Sequence, residues 1–274
     1  MNKIIYKFSI KMVNLFFSIF PFWFIGDELL ASLKNRVIKV NHNGTSLRFS
    51  CPTRISNFRA KTFSTKEPLT LQWIDGLMPN SILWDVGANI GLYSIYAAKH
   101  KGIKVVSFEP SVFNLELLVR NINLNGVSKL ISVIPLPLYK TSCVSSIFLS
   151  SENIGAALNT FGESYGQDGK DLINVINYSV LGLSADDLFL KFGILPPTNL
   201  KIDVDGIEHL VLAGATTLLA SVQSVLVEVN DSFEEQAKGV SSALTLSGFH
   251  LHEKQKFGGE SKVGKQSNQL WLRG

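Results

Sequence analysis

An acid and two glycines lie where an apolar run gives way to a helical pattern. The run Ile82–Val86 contains Asp85, and an apolar helical pattern begins just after Gly87 and Gly91. This order is typical of a strand, a tight turn and a helix, and such a turn lets a ligand approach the backbone. The spacing Asp-x-Gly-x-x-x-Gly is not a dinucleotide fingerprint, because Asn89 stands where that motif needs a glycine. An acid here would repel a pyrophosphate but could pair with a cationic ligand.

A second carboxylate, Glu109, ends the next predicted strand, Ile103–Phe108. A carboxylate at this position can accept both hydroxyls of a ribose and would reject a 2′-phosphate. The turn and this carboxylate together predict an S-adenosylmethionine site. The residues predicted to bind the cofactor are Asp85, Gly87, Asn89, Gly91 and Glu109.

A third group of polar residues follows the predicted strand Asn199–Val204. Asp203 lies at its carboxyl end, and Asp205, Glu208 and His209 follow within six residues. Methyl transfer from a sulfonium needs the acceptor oxygen in line with the methyl group and a base or metal that removes its proton. We expect Asp203 to be that base, or to position the acceptor or the cofactor's amino group. His209 is a second candidate base, because its ordinary pKa lies near neutrality.

Each of these residues also has a structural interpretation. Asp205 and Glu208 have the spacing of a helix cap, with Asp205 as the cap and Glu208 reaching back. Lys201, inside the strand, would pair with one of the acids, a role that we favour over catalysis. His209 would be an ordinary surface or boundary histidine and Asn89 a helix cap, while the two glycines of the first turn would serve packing alone.

A metal-assisted reaction is an alternative that we favour less. Asp203, with Glu228 or Asn230 at the end of the next strand, could supply oxygen ligands for Mg²⁺. No residue is assigned as a metal ligand.

Three motifs in this order resemble the FkbM family of S-adenosylmethionine-dependent methyltransferases. They are Asp85–Gly91, Phe108-Glu109-Pro110 and Lys201–Glu208, and Lys66-Glu67-Pro68 and Gly214 are also similar to that family. The resemblance implies a class I methyltransferase that O-methylates a hydroxyl of a sugar, a glycan or glycolipid, or a polyketide-like product.

The resemblance covers roughly residues 60–272, and two positions depart from the family. Asp205 stands where the family usually has Glu, a change that keeps the charge. Leu136–Tyr139 stands where members often carry Ala and small polar residues, on the adenine side of the pocket.

Strand and helix patterns alternate along the chain and end in a pair of strand-like runs. They predict an α/β fold, a doubly wound and mostly parallel Rossmann-like sheet with helices on both faces. Asn43-Gly44 between two β-prone runs predicts a hairpin. We expect an apolar helical segment at 1–35, a β-hairpin cap at 36–65 and the methyltransferase domain at 66–274. A stretch at 150–180 rich in Asn, Gly, Ser and Asp is either a substrate lid or a surface loop.

The composition narrows the function classes. Hydrophobic residues make up 46% and charged residues 18%, which allows a sizeable core and argues against long disordered stretches. The net charge of +4 is small and scattered, so we expect no nucleic-acid partner. Cys51 and Cys143 lack metal-ligand spacing and fit a reducing compartment. We expect a cytoplasmic enzyme with a small-molecule or glycan acceptor.

The apolar segment Met12–Ile25 is preceded by three lysines at i, i+4 spacing. A membrane-spanning helix needs about 20 apolar residues, and Pro21 interrupts this shorter run. No clear small-x-small cleavage site follows, which disfavours a secretory signal. Two interpretations stay open: a helix docked on the domain or on a partner subunit, or an in-plane anchor of residues 1–30 at the inner face of the membrane.

Two other function classes compete. A nicotinamide-dependent oxidoreductase on a similar sheet is disfavoured by the glycine spacing and by the lack of a Tyr-x-x-x-Lys pair. A non-catalytic, membrane-associated scaffold is disfavoured because the chain has both Asp85 and Glu109.

Overall fold

The computed structural model describes residues 3–19, 23–173, 176–256 and 266–274. These residues form nine α-helices, one short 3₁₀ helix (Leu218–Ser221) and twelve strands. The helices are α1 (Lys3–Ile19), α2 (Trp23–Lys34), α3 (Arg54–Lys66), α4 (Pro68–Asp75), α5 (Leu92–Lys101), α6 (Val112–Asn125), α7 (Ala185–Phe192), α8 (Glu208–Ala213) and α9 (Glu234–Leu246). The strands are β1 (Val37–His42), β2 (Thr45–Ser50), β3 (Ile82–Val86), β4 (Lys104–Phe108), β5 (Ile131–Ile134), β6 (Cys143–Leu149), β7 (Thr160–Phe161), β8 (Ile176–Gly182), β9 (Asn199–Ile202), β10 (Ser224–Asn230), β11 (Phe249–Lys256) and β12 (Gln266–Arg273).

Seven strands form the central sheet in the order β5-β4-β3-β9-β10-β12-β11. The first five run parallel, whereas β12 is antiparallel to β10 and β11 is antiparallel to β12. The strand order reverses between β3 and β9, which is where doubly wound sheets bind their ligands. The predicted fold class, with its terminal strand pair, is confirmed.

Alternate side chains of each strand enter two different cores, one on each face of the sheet. Leu83 and Val105 pack with α4, α5 and α6, whereas Trp84 and Val106 pack with α7, α8 and α9. Asp85 follows Trp84 and pairs in register with Lys201 of β9. Two ionisable residues therefore face the first core from adjacent central strands.

The hairpin predicted at Asn43-Gly44 is confirmed. Strands β1 and β2 pair antiparallel, and both turn residues have a positive φ, 43° and 74°, as a type I′ turn requires. The segment expected to be a β cap also contains a helix, α3. That helix begins because Thr53 and Ser56 cap each other reciprocally. The division of the chain into three segments stays a prediction.

The stretch expected to be a loop at 150–180 is partly sheet. Strand β6 pairs antiparallel with both β7 and β8 in a separate three-stranded sheet. The pairing joins Cys143 to Gly182 and Leu149 to Ile176, so it depends on contacts far apart in sequence. Only 150–159 and the segment between β7 and β8 lack strands among the described residues of this stretch.

The N-terminal apolar segment forms α1 and α2. Phe8, Met12 and Val13 of α1 are exposed, and Pro21 lies outside the described residues. Across the ranges that the structure describes, no helix combines the length and hydropathy needed to cross a membrane.

Candidate active site

A cavity of about 280 Å³ lies at the carboxyl ends of β3, β4, β9 and β10. This is the end of the sheet at which the strand order reverses. The lining combines residues of all three sequence motifs with residues of α3 and of the 150–159 loop. Its charged side chains are Arg59, Lys66, Glu109, Asp203, Asp205 and Glu228.

The structure brings four of the seven predicted site residues to this cavity. Those that line it are Gly87, Asn89, Glu109 and Asp203. The other three, Asp85, Gly91 and His209, do not belong to its lining. Asp85 lies in the layer beneath the cavity, within ion-pair distance of a lysine that also contacts Asp203.

Both glycines of the first turn have conformations that other residues rarely adopt. Gly87 has φ 87°, and a Cβ there would lie 1.8 Å from the carbonyl oxygen of Asp203. Gly91 has φ 85°, and its Cβ would lie 2.5 Å from Leu118 Cδ1. The close approach of β3 to the end of β9 therefore requires glycine at the first position. Packing explains both glycines, and Gly87 also lines the cavity.

Glu109 is held by hydrogen bonds from the protein. Its Oε2 accepts from the Asn89 amide at 2.8 Å, and its Oε1 accepts from the Ser111 amide at 2.9 Å. Burial raises the pKa of this carboxyl to about 7, although the amide hydrogen bonds oppose that rise. The carboxyl is thus fixed in orientation and changes charge near neutral pH.

Asn89 connects the first turn to the 150–159 loop. Its φ is 51°, its Oδ1 accepts from the Ile90 amide, and its Nδ2 donates to the Ala156 carbonyl at 2.8 Å. The N-cap of α5 is Gly91, so the interpretation of Asn89 as the cap of that helix is wrong. The backbone of Asn89 is left-handed, and its side-chain Nδ2 points to the 150–159 loop rather than to the end of the helix.

Asn114 holds the same loop from α6, and the sequence analysis missed it. Its Nδ2 donates to the Ala156 carbonyl at 3.2 Å, and its Oδ1 accepts from the Gly155 amide at 2.8 Å. Its position four residues before Leu118 places it on the buried face of the helix. An asparagine on the same helical face as the apolar residues Leu117, Leu118 and Ile122 was the signal that could have identified it.

Asp85 is buried beneath the cavity. Its Oδ2 accepts a hydrogen bond from Ser94 Oγ at 2.5 Å, and Oδ1 has no hydrogen-bond partner among the described residues. Burial raises the pKa of this carboxyl, while the Lys201 ammonium, 3.8 Å from Oδ1, opposes the rise. The negative charge of Asp85 is therefore stabilised by one buried cation.

Lys201 provides that cation. Its Nζ lies 2.9 Å from Asp203 Oδ2, so the predicted pairing with an acid is confirmed. Burial by itself would lower the pKa of the lysine, but the carboxylates of Asp203 and Asp85 raise it. Burial would also raise the pKa of Asp203, and the lysine holds it below its ordinary value instead. Asp203 is therefore ionised at neutral pH.

The prediction that Asp205 caps α8 is wrong, because the N-cap residue of that helix is Ile207. Asp205 has φ 59°, and its Oδ2 accepts from the Leu158 amide at 2.7 Å. Glu208 does reach back, because its carboxylate accepts from the backbone amides of Val204, at 3.0 Å, and Gly206. The left-handed turn at Asp205 directs its side chain to the 150–159 loop. Burial raises the pKa of Asp205 to about 6 and that of Glu208 to about 7.

His209 lies inside the protein rather than at its boundary. It is 8% exposed, packs against Gly239 and has its ring centroid 6.0 Å from that of Phe233. Neither ring nitrogen has a hydrogen-bond partner in the described part of the chain, and burial lowers its pKa. The interpretation as a surface or boundary histidine is wrong, because α8 packs this face against α9.

Asp203 and Glu228 both line the cavity, as the Mg²⁺ alternative requires. The side-chain Nδ2 of Asn230 donates to the Gln167 carbonyl at 2.9 Å. Over the described ranges, no three His, Cys, Asp or Glu side chains are grouped so that they could hold a metal ion. Burial, together with the charges of Asp203 and Asp205, raises the pKa of Glu228 well above its ordinary value.

Comparison with known proteins identifies relatives of the chain. Residues 85–255 match the family described as Methyltransferase FkbM domain. Hexuronic acid methyltransferase AglP of Haloferax volcanii is 27% identical over 188 residues, covering 69% of this chain and 72% of the relative. The 31-O-demethyl-FK506 methyltransferase FkbM of Streptomyces tacrolimicus is 29% identical over 177 residues, covering 57% of this chain and 67% of the relative.

A solved structure shares the fold. The crystal structure of methyltransferase FkbM from Methylobacillus flagellatus superposes with a TM-score of 0.51 at 15% identity. The superposition covers 80% of this chain and 52% of the solved one.

Proposed function

Because the chain belongs to the FkbM family of methyltransferases, we propose that it O-methylates an acceptor with S-adenosylmethionine as the methyl donor. The acceptor class is a sugar, a glycan or glycolipid, or a polyketide-like product. One observation carries the proposal: Glu109 and Asp203, from different motifs, line one cavity at the point where the strand order reverses.

The residues around the cavity fit the cofactor. Glu109 offers a fixed carboxyl to a ribose diol, and Gly87 exposes backbone beside it. The acids at the ends of β9 and β10 suit a ligand that carries a sulfonium and an ammonium group. When bound, S-adenosylmethionine supplies an electrophilic methyl group.

We assign to Asp203 the role of binding the acceptor hydroxyl. Lys201 holds its Oδ2 at 2.9 Å and keeps the carboxylate ionised. A carboxylate with a lowered pKa is a weak base, but an oxygen that has just gained a methyl group is a strong acid. Asp203 therefore orients the hydroxyl and takes its proton late. We assign no chemical step to His209, which does not line the cavity.

The acceptor class is supported by the relatives. One is named for a hexuronic acid and the other for a demethylated polyketide product, FK506. Both are oxygen-rich molecules. The experiment that tests the proposal incubates the chain with labelled methyl donor and with lipid, polysaccharide and small-molecule pools. We expect label in one pool and at least about a hundredfold less label with Asp203→Asn.

Calorimetry with S-adenosylmethionine and NAD separates the alternatives. Tighter binding of NAD would favour an oxidoreductase, and no binding of either would favour a scaffold. Activity that is lost with a chelator and restored by Mg²⁺ would support metal-assisted transfer.

We also propose that α1 contacts an anionic membrane surface. Lys7 and Lys11 are exposed beside the exposed apolar residues Phe8 and Met12, as in an interfacial helix. Co-sedimentation with phosphatidylglycerol vesicles, but less with phosphatidylcholine vesicles, is expected. Lys7→Glu with Lys11→Glu should abolish the difference, and equal sedimentation with both lipids would contradict the proposal.

A further inference from the structure

Two cations of α3 line a cavity whose other charged lining residues are acids. Arg59 and Lys66 are seven residues apart, so they lie on one face of the helix, about 10 Å apart along its axis. Side chains of this length can reach a group held between them. The wall of the cavity formed by α3 is therefore positive, opposite the acids at the sheet edge.

The guanidinium of Arg59 is held in place by one hydrogen bond. Its Nε donates to the Gly155 carbonyl at 2.7 Å, the only hydrogen bond of this side chain within the described ranges. The terminal N–H groups form the planar fork that matches a carboxylate. Lys66 is 44% exposed at its side chain and lies 3.3 Å from Glu67 Oε1.

Arg59 and Lys66 lower the pKa of Asp203 less than Lys201 does, so that acid alone does not explain the two cations. Lys201 already pairs with that acid at 2.9 Å. Arg59 is held by the 150–159 loop, which also contacts the first motif through Asn89. Arg59 is fixed at the rim of the cavity and forms no ion pair among the described residues, so its terminal N–H groups are suited to bind an anionic group of the ligand.

We propose that Arg59 and Lys66 form a binding site for a carboxylate group. The inference rests on the proposed function, since that function supplies two carboxylate sources. One is the methionine carboxylate of the cofactor, and the other is a carboxylate on the acceptor, as in a hexuronic acid. Either source places its anion on α3 and leaves the reacting hydroxyl at the sheet edge.

Calorimetry on the full chain separates the two sources. S-Adenosylhomocysteine carries the amino-acid group and 5′-methylthioadenosine lacks it. If the site holds the cofactor, Arg59→Gln and Lys66→Gln each weaken S-adenosylhomocysteine binding by about tenfold or more and leave 5′-methylthioadenosine unchanged. If it holds the acceptor, both variants leave S-adenosylhomocysteine unchanged and weaken glucuronate binding relative to glucose by a similar factor.

Lys61→Gln is the matched control, because Lys61 is exposed on the same helix outside the cavity lining. Arg59→Lys keeps the charge and should lose less affinity than Arg59→Gln. Lys66→Gln alters an exposed side chain, so it tests the site even if an Arg59 variant unfolds.

The proposal is overturned if binding of neither carboxylate ligand is weakened, or if Lys61→Gln weakens binding equally. A wild-type chain that binds neither adenosine compound would contradict the proposed function, and the glucuronate arm would still decide on the carboxylate site.

Discussion

The ammonium of Lys201 lies 2.9 Å from the Asp203 carboxylate. The same nitrogen lies 3.8 Å from Oδ1 of Asp85, an oxygen that has no hydrogen-bond partner among the described residues. One buried cation thus stands between the acid beneath the first turn and the acid that we assign to the acceptor. The two motifs are coupled through this lysine because β3 and β9 are adjacent in the sheet.

Replacing Lys201 by Met should therefore damage both stability and activity. The buried Asp85 and the partly exposed Asp203 would both lose their cation, and removal of one partner from a buried pair costs about 3–5 kcal/mol. Arg59 and Lys66 also lower the pKa of Asp203, but less than Lys201, which alone contacts both acids. The pKa of Asp203 should rise, so the acidic limb of the pH–rate profile, measured at saturating cofactor so that binding at Glu109 does not limit it, should move to higher pH. Urea denaturation and a pH–rate profile measure the two effects.

Lys191→Met is the matched control for that variant. Lys191 forms an exposed i,i+4 pair with Asp187, so its loss should change the free energy of unfolding by less than about 1 kcal/mol. Equal losses for the two variants, or an unmoved acidic limb, would show that the buried cation does not set the charge of Asp203.

Gly87→Ala should destabilise the protein far more than Gly102→Ala. Both glycines have positive φ, 87° and 68°, but only the first would bring its Cβ within 1.8 Å of a backbone oxygen. A Cβ at Gly102 would meet no atom within 4 Å. Gly102→Ala should therefore cost only the strain of a positive φ in a residue with a side chain, about 1 kcal/mol. We expect Gly87→Ala to cost at least about 3 kcal/mol more. Similar denaturation midpoints would contradict the close packing of β3 on the end of β9.

The features that could be predicted from the sequence are those that a short segment determines by itself, such as tight turns. The Asn43-Gly44 hairpin and the turn from Asp85 to Gly91 were predicted because positive φ values select Asn and Gly at those positions. The pairing of β6 with β8, and the bonds from Arg59 and Asn114 to the 150–159 loop, join residues that are distant in sequence. The hydrophobic pattern of one segment does not indicate which distant segment it will contact, so these contacts could not be predicted from the sequence.

The same limit explains the incorrect interpretations in the third motif. The spacing of Asp205 and Glu208 suggests that Asp205 caps α8. Its carboxylate instead accepts a hydrogen bond from the Leu158 amide, 47 residues away. The burial of His209 depends on Gly239, which lets α9 approach α8 closely. Both results follow from packing between segments, which the spacing of polar residues inside one motif does not report.

Binding of S-adenosylhomocysteine should strengthen as pH rises through about 7. Burial raises the pKa of Glu109 to about 7, and only its ionised form accepts hydrogen bonds from both ribose hydroxyls. Calorimetry at pH 6 and pH 8 should show weaker binding at pH 6. Glu109→Gln should bind about tenfold more weakly at pH 8 and lose the pH dependence. Glu116→Gln, an exposed carboxylate on the adjacent helix, is the control and should behave as wild type.

His209→Phe should change the pH dependence of stability and leave catalysis nearly unchanged. Burial lowers the pKa of this histidine in the folded state, so the unfolded state binds a proton first as pH falls below about 6.5. Its neutral form therefore supports the fold above that pH, and the support is lost on acidification. The charged groups that act on it are Glu235, Glu163 and Lys140.

Urea denaturation between pH 7 and pH 5 measures the effect of His209. The wild type should lose up to about 1.4 kcal/mol per pH unit relative to His209→Phe, because only in the wild type does the unfolded state gain a proton that the folded state does not bind. The variant adds a phenyl ring beside Phe233 and leaves every residue that lines the cavity in place. Its turnover should stay within about twofold of the wild type at pH 8, since no reacting group is removed. A loss of turnover by about a hundredfold or more in a folded variant would instead assign the proton transfer to His209.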